Sequence, residues 1–446
     1  MEITHSEPGT PTKLLATAGH TALFIVTLLP RFSLLPSVFS PTNYVVEIKV
    51  VLRLDHQGSV LQCMAVRLVS NEVSDLCIGK PAVRSLPPSA ATVGDVLAAL
   101  RRGDAPHLAV LVVDRAAPEK RAVSGKLCVA DVICFLCSDG NLASPAVALE
   151  RPISALLPKG GGLVRRVEPQ FSILEALDLI LDGAQSLVVP IRPVGRKKNI
   201  HGGAGGAVAD FCWLTHEDFV RFFLNSIAHF SPIPTLSIDA LGLVRSADAF
   251  TVCHDEPGLA LLPLVRRALS DHTAVAVVTE DGRLLGEISP ASLCACDETI
   301  SVAAGIATLT VGDLMSFIDY FGSPSDSLVR LIKSRLKEKG LKQMLELMED
   351  ELCSLSNSST SSSSSEDELG GKQLRRLRSR CFSMGRRAED PEVCHPGSSL
   401  VAAMVQALAH RVSYLWVVDE DDYSLMGIVT FADMLRVFRE QLLPSP

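Results

Sequence analysis

Hydrophobic and polar positions along this chain alternate between two periods, and the switch between them recurs. It is clearest near the C-terminus. An apolar run, Tyr414–Val418, meets an acidic turn, Asp419–Asp422, and a second apolar run, Leu425–Val429, follows. Short apolar runs bounded by turn residues predict buried strands. Beyond them Met434, Leu435, Val437 and Phe438 fall at helical spacing. The stretch therefore predicts strand, tight hairpin, strand, then a helix that opens on Thr430-x-x-Asp433.

Three blurred copies lie upstream. The first opens at Val73-Ser74-Asp75-Leu76 and continues as a strand near Val83–Leu86, a helix over Thr92–Leu100 and a strand at Leu108–Asp114. A charged hairpin at Arg115–Arg121, a return strand at Ala122–Val129 and a helix from Asp131 complete it. The second opens at Arg151–Leu157, with strands at Leu163–Val167 and Ser186–Ile191, a helix at Ser172–Leu181 and a Gly-rich insertion over Arg192–Ala209. Its return strand, Phe211–Leu214, runs into Thr215-His216-Glu217-Asp218 and a helix. The third begins at Phe250–Cys253, with a helix over Leu259–Leu269 and strands at Thr273–Thr279 and Arg283–Ile288 joined by Asp281-Gly282, a strong hairpin signal. It ends at Ser289-Pro290. The fourth copy is split. Thr310–Met315 matches the opening of the first copy, and the rest resumes near Glu392.

Repeated strand–helix–strand–strand–helix units of roughly sixty residues are an internal repeat. The expected organisation is an N-terminal extension over 1–63 and repeats over 64–140, 141–230, 231–300 and 301–446, the last carrying an insertion over 316–390. That insertion reads as helical over Asp326–Leu352, then as a Ser tract, Ser354–Ser365, with too little apolar surface to order itself, then as a basic run, Lys372–Arg387. Residues 1–63 have a different texture, with a strand expected at Tyr44–Leu54. They read either as a targeting or disordered extension or, the favoured reading, as a gene-model artefact with Met64 the true start.

Composition narrows the function. A hydrophobic fraction of 47% suits packed cores, and a net charge of −8 gives no global reason to bind nucleic acid or acidic lipid. The apolar run Thr21–Leu29 is too short to span a bilayer. Twelve Cys are a normal intracellular load, which points to the cytoplasm. The basic run leaves nuclear import open, although a solvated linker is the plainer reading, and residues 1–63 leave organelle targeting open. The pairs Cys134/Cys137 and Cys294/Cys296 lie on apolar stretches and read as buried thiols rather than zinc ligands. His201–Gly206 lacks the Gly-Lys-Ser/Thr of a phosphate loop and reads as a hairpin tip. Nothing supplies a nucleophile–base pair, so the chain does not read as an enzyme.

The Thr-x-x-Asp motif has two physical readings. A helix N-terminus with its unpaired N–H groups suits phosphate, a Thr hydroxyl adds a donor, and a carboxylate one turn later can accept ribose hydroxyls. The same pattern is a capping box, in which the two side chains serve only the helix. Ser289-Pro290 fits the capping reading alone.

Gly427-Ile428-Val429-Thr430-Phe431-Ala432-Asp433 and its hairpin, echoed at Gly125–Asp131, Cys212–Asp218 and Gly286–Ser292, resemble the CBS domain family. The recurring openings fit as well. Four repeats without a catalytic domain, a Ser-rich insertion in the last and a start like Met64–Pro81 look like the plant CBS-domain-only (CBSX-type) proteins. The resemblance covers most of 64–446. It implies a mixed α/β (α+β) fold in which repeats pair through their sheets, one with two and three with four, into two Bateman modules. It also implies clefts for an adenosine-containing ligand such as AMP, ATP or S-adenosylmethionine. The family's ligand contacts transfer to Thr430 and Asp433 and to Thr215 and Asp218. The first repeat keeps Asp131 but has Cys128 for the hydroxyl, and the third keeps Ser289 but has Ser292 for the carboxylate. Each module is therefore expected to hold one complete and one damaged motif. No resident cofactor or metal is expected. The function implied is a non-enzymatic sensor that modulates a partner protein, with homodimers through CBS contacts a further implication. The alternatives are a ligand-free interaction scaffold and a regulatory subunit of an AMP-sensing kinase, which would need basic residues around the clefts.

Overall fold

The computed structural model describes residues 71–86, 91–102, 105–113, 121–157, 163–191, 210–319, 325–360 and 390–442, and the backbone alone of three N-terminal strands and of residues 355–360. The hairpin at 114–120, the Gly-rich insertion, the later Ser tract, the basic run and Met64 lie outside the described residues. The N-terminal strands β1 (Lys13–Ala18), β2 (Ala22–Pro30) and β3 (Tyr44–Leu52) form an antiparallel meander. The third of them agrees with the strand expected at Tyr44–Leu54.

Each repeat builds the same three-stranded sheet, its first strand parallel to the second and the second antiparallel to the third. In the first repeat, α1 (Val73–Leu76) precedes β4 (Ser85–Leu86), α2 (Val93–Arg102), β5 (Leu108–Val113), β6 (Arg121–Leu127) and α3 (Val129–Leu136). The second has β7 (Val164–Arg166), α4 (Ile173–Leu181), β8 (Ser186–Ile191), β9 (Asp210–Leu214) and α5 (His216–Asn225). The third has β10 (Thr251–Cys253), α6 (Leu261–Asp271), β11 (Val275–Val278), β12 (Leu284–Ile288) and α7 (Pro290–Ala295). Four more helices follow, α8 (Thr299–Thr308), α9 (Val311–Asp319), α10 (Asp326–Glu338) and α11 (Lys342–Thr360). The fourth repeat then closes with β13 (Val393–Cys394), α12 (Leu400–His410), β14 (Tyr414–Val418), β15 (Leu425–Thr430) and α13 (Phe431–Gln441).

The two faces of each central strand decide how the repeats assemble. Successive side chains point to opposite faces, so a strand covered on both sides is apolar throughout. All five residues of β14 are buried. Tyr414, Trp416 and Val418 join Ala276, Val278 and Phe250 of the third repeat in a core between two sheets, while Leu415 and Val417 join the helices of the second and fourth repeats. On β5, Leu111 meets Val188 and Phe211 between the sheets of repeats one and two, while Leu108 and Val110 join the helices of repeats one and three. Sheets thus pair repeats one with two and three with four, and helices pair one with three and two with four. The two modules close into a four-repeat ring within one chain. Buried Glu287 ties one sheet pair together, accepting from Tyr414 Oη at 2.9 Å and Trp416 Nε1 at 2.7 Å.

The opening segments are exchanged within each module. Val73 N donates to Phe171 O and Ile173 N to Asn71 O, both at 2.9 Å, so the first repeat's opening lies at the start of the second repeat's helix. Val93 N to Arg151 O and Ile153 N to Ala91 O reciprocate. The other module repeats the arrangement with Val311 N to Glu256 O and with Ile238 N to Ser398 O. This last contact corrects the reading of the third repeat, which opens at Ser237–Leu241 rather than at Phe250. A 3₁₀ turn at Ile233–Thr235 precedes that opening, which lacks the Ser or Gly before an Asp seen in two of the other openings.

The inserted helices extend the core of repeats one and three. Ile332, Leu336, Met344 and Met348 are fully buried there. The helical stretch expected over Asp326–Leu352 is present as two helices, separated at Gly340, whose φ of 70° is the left-handed conformation that ends helices. The backbone of α11 runs on to Thr360, so the first residues expected in the unordered Ser tract continue a helix anchored by its buried turns. Residues 299–308 are buried on every side. The α8 N-terminus is held by the Glu351 carboxylate, which accepts from Ile300 N at 3.0 Å, Ser301 N at 2.8 Å and Ser301 Oγ at 2.9 Å and pairs with Arg101.

Candidate functional site

All four motif hydroxyl positions are helix N-caps, because the third strand of each repeat runs directly into a helix whose first N–H groups lack intrahelical partners. In the fourth repeat Thr430 N and Thr430 Oγ1 donate to Asp433 Oδ2 at 3.0 and 2.6 Å, and Asp433 N donates to Thr430 Oγ1 at 3.3 Å. Both residues are buried. In the second repeat Thr215 N donates to Asp218 Oδ2 at 2.8 Å and Thr215 Oγ1 at 3.3 Å. In the first, Cys128 N donates to Asp131 Oδ2 at 2.7 Å, and the Cys128 thiol shares a hydrogen bond with Cys294 of the third repeat. Burial raises the Asp131 carboxyl above its ordinary range. In the third, Ser289 and Ser292 cap reciprocally at 3.0 and 2.9 Å. The capping geometry expected of the motif is thus present in every repeat.

The two complete motifs carry a further contact. Lys80 Nζ lies 2.6 Å from Asp218 Oδ1 and donates to Trp213 O at 2.9 Å. Arg245 Nε lies 2.9 Å from Asp433 Oδ2, and Arg436 Nη1 lies 3.0 Å from Asp433 Oδ1. Gly427 permits the second arrangement. Arg245 and Ile428 exchange backbone hydrogen bonds at 3.0 and 2.9 Å, and a Cβ on Gly427 would stand 2.4 Å from Arg245 O. At the matching position of the second repeat Cys212 hydrogen-bonds the Cys77 thiol instead.

A basic cluster gathers beside the second repeat's motif. Lys126 on β6 reaches Ser186 Oγ at 3.2 Å and lies 5.7 Å from the Trp213 ring centre. The His216 and His272 rings are 5.2 Å apart, and His272 Nε2 meets Gln185 O at 2.6 Å. His107 is close enough to feel both Lys126 and His272. Burial lowers Lys126 to about 8 and, with the Lys126 charge next, His216 to about 4 and His272 to about 3. The three rings are therefore neutral near pH 7, and Lys126 is the cation among them. His216 Nδ1 is buried and has no hydrogen-bond partner among the described residues. Repeats one, two and three each contribute to this cluster.

The sequence of the CBS domain family matches residues 386–440. The chain is 41% identical over 395 residues to the CBS domain-containing protein CBSX5 of Arabidopsis thaliana, covering 85% of this chain and 99% of the relative. It belongs to the CBS domain-containing proteins. A second relative from that plant, CBSX6, is 25% identical over 428 residues, covering 85% of this chain and 95% of its own. The crystal structure of MJ1225 from Methanocaldococcus jannaschii, proposed in its name as an archaeal homolog of g-AMPK, covers 82% of this chain and 100% of its own at 16% identity, with a TM-score of 0.48. The family match and the 41% identical relative establish the CBS resemblance drawn from Gly427–Asp433, and the chain's own repeated three-stranded sheets with their helices establish the four-repeat α/β fold. Among the described residues no helix is long and apolar enough to cross a membrane.

Pattern reasoning found all four capping positions and missed Lys80, Arg245 and the cluster of Lys126, His107, His216 and His272. Lys80 follows the first opening, and Arg245 follows the third at an isolated bridge to Ile428, and a cation following an opening is the one signal that points to them. The histidines carry none, because three repeats bring them together.

Proposed function

We propose that this CBS-domain regulatory protein is non-enzymatic and senses an adenosine-containing ligand (AMP, ATP or S-adenosylmethionine), passing ligand occupancy to a partner protein. One observation carries the reading. The complete Thr215/Asp218 motif adjoins Lys126, whose near partners are a hydroxyl and an aromatic ring, and His216, whose buried Nδ1 has no partner among the described residues. An imidazole nitrogen and a lysine that have, among the described residues, no hydrogen-bond partner and no direct carboxylate contact respectively suit an anionic group that would supply both. A nucleoside whose ribose met Asp218 would direct its 5′ substituent toward such groups. Asp131, Ser289, Thr430 and Asp433 are the remaining candidate ligand contacts.

The ligand-free scaffold is favoured by one observation only. Asp433 already holds two guanidinium groups as well as its own helix cap, so the fourth repeat's motif is complete without a ligand. Titrating the full chain with AMP, ADP, ATP and S-adenosylmethionine by calorimetry, beside Asp218→Ala and Asp433→Ala, separates the readings. Saturable heat lost in Asp218→Ala supports the sensor. A folded protein that gives no heat with any of the four leaves the scaffold.

A further inference from the structure

A tight turn joins the first sheet strand of a repeat to the helix that follows it. In the second repeat Phe171 N donates to Glu168 O at 3.1 Å, in the third Glu256 N donates to Cys253 O at 3.2 Å, and in the fourth Ser398 N donates to His395 O at 2.9 Å. The turn residues are Glu168-Pro169-Gln170-Phe171, Cys253-His254-Asp255-Glu256 and His395-Pro396-Gly397-Ser398. The second residue of the turn also receives the sister repeat's opening. Ser74 N donates to Pro169 O at 2.9 Å, and Gly312 N donates to His254 O at 2.8 Å. The same backbone therefore forms around Pro followed by Gln or Gly. Neither the turn nor its contact with the opening calls for the side chains of Cys253, His254 and Asp255.

Those three side chains converge. Cys253 Sγ lies 3.8 Å from His254 Nδ1, and the thiol shares a hydrogen bond with the Asp255 carboxylate. One donor atom from each residue falls within 4.8 Å of the other two. Zinc held tetrahedrally by sulfur, nitrogen and oxygen spaces its ligands about 3.5 Å apart. The thiol and imidazole stand within a few tenths of an ångström of that spacing, and rotation of the exposed Asp255 side chain closes the rest. The backbone beneath is fixed. His254 N donates to Val278 O at 3.0 Å, and the Glu256 carboxylate accepts from Cys253 N at 3.2 Å. A thiolate in the set disfavours magnesium and calcium, which take oxygen ligands, and a mixed sulfur, nitrogen and oxygen set suits zinc.

We propose that Cys253, His254 and Asp255 form a zinc site at the joint between the third and fourth repeats, with water in the fourth ligand position. The ion takes the place of the thiol proton, which leaves to solvent, so no oxidant or reductant takes part. The site is separate from the capping motifs and independent of the sensor reading. An ion there ties three consecutive side chains of the turn together. It thereby stiffens the carbonyls of His254 and Glu256, which accept from Gly312 N and from Val311 N at the start of α9.

The experiment uses the full chain, reduced and freed of metal by dialysis against a chelator. It is titrated with Co2+, whose near-ultraviolet charge-transfer band reports sulfur ligation, and Zn2+ then displaces the cobalt. Variants are Cys253→Ser, His254→Ala and Asp255→Asn, with His395→Ala as the control in the fourth repeat's turn and Cys353→Ser as the control for an exposed thiol elsewhere. Circular dichroism confirms that each is folded. The expected result is a cobalt–thiolate band in wild type that saturates, is lost in Cys253→Ser and survives in both controls. His254→Ala and Asp255→Asn each weaken Zn2+ about tenfold or more, at least the cost of disturbing a ligand's support. Zn2+ also slows hydrogen exchange at Val311 and Gly312 in wild type and not in Cys253→Ser. A band that persists in Cys253→Ser, or that falls equally in either control, overturns the proposal because the metal then lies elsewhere. Zn2+ affinity unchanged in His254→Ala or in Asp255→Asn overturns it, since the three residues then do not act together. A folded wild-type protein that shows no cobalt–thiolate band, or no slowing at Val311 and Gly312 with Zn2+, overturns it as well.

Discussion

Glu351 tests whether the inserted helices belong to the ring or merely lie on it. Its carboxylate is buried and serves three donors at the start of α8 as well as Arg101 on α2. Glu351→Gln keeps the shape, and its single oxygen can still serve Ser301. Its amide group then faces the Ile300 N–H and the Arg101 guanidinium, donor against donor. Losing one buried charged hydrogen bond costs about 1.5–3 kcal/mol. The lost anion at a helix N-terminus adds about 0.5–1 kcal/mol. Arg101 adds little, because its side chain is 36% exposed and can turn to water. The sum is about 2–4 kcal/mol, equivalent to a roughly 30- to 1000-fold loss of protection at 1.4 kcal/mol per decade. A multi-module chain does not guarantee a single unfolding transition, so native-state hydrogen exchange over residues 299–308 is the suitable assay. Arg101→Ala is the control and should cost less than about 1 kcal/mol. Protection of α8 in Glu351→Gln within about threefold of wild type, or equal losses in the two variants, would refute the reasoning, because about 1.4 kcal/mol is needed for each decade.

Three further outcomes follow from the geometry. Gly427→Ala places a methyl 2.4 Å from Arg245 O and 2.7 Å from Val244 Cγ1, so it should cost about 1–3 kcal/mol by overpacking, whereas Gly397→Ala meets open space and should leave the thermal midpoint within a degree or two, roughly neutral for a surface change. Thr430→Ala should cost about 1 kcal/mol as a lost cap, with Thr430→Ser recovering most of it in thermal melts. The third concerns pH. His216 has a folded pKa of about 4 against an ordinary 6.5, because burial and then Lys126 and Arg436 oppose its charge. The unfolded chain therefore binds the extra proton, and the stabilisation is present above pH 6.5 and lost as pH falls toward 4, an effect on the order of 3 kcal/mol. Melts from pH 7.5 to 4.5 should show a steeper acid decline in wild type than in His216→Gln, and parallel slopes would contradict the assignment.

The pattern of the chain disclosed most of the scaffold, and the reasons for the gaps are physical. Tyr414–Val418 was legible to the residue because a strand covered on both faces is apolar from end to end and stops where the cover stops. Thr299–Thr308 hid because a helix buried all round has no polar face and therefore no period, and its small residues, Ala303, Ala304 and Gly305, look like a linker. The opening at Ser237–Leu241 hid because its contacts are with Ser398 and Leu400, far along the chain. The same limit applies to the site. Thr215, Asp218, Thr430 and Asp433 were legible because capping is local in sequence. Lys80, Arg245 and the histidines were not, because their positions beside those carboxylates are a product of ring closure.

Phosphorus NMR of AMP added to the full chain tests the central claim most directly, since it reports the phosphate itself. A shifted or broadened resonance is expected at pH 7.5 with protein in excess, and a free-ligand line in Asp218→Ala. An AMP line identical with and without the folded wild-type protein would contradict it.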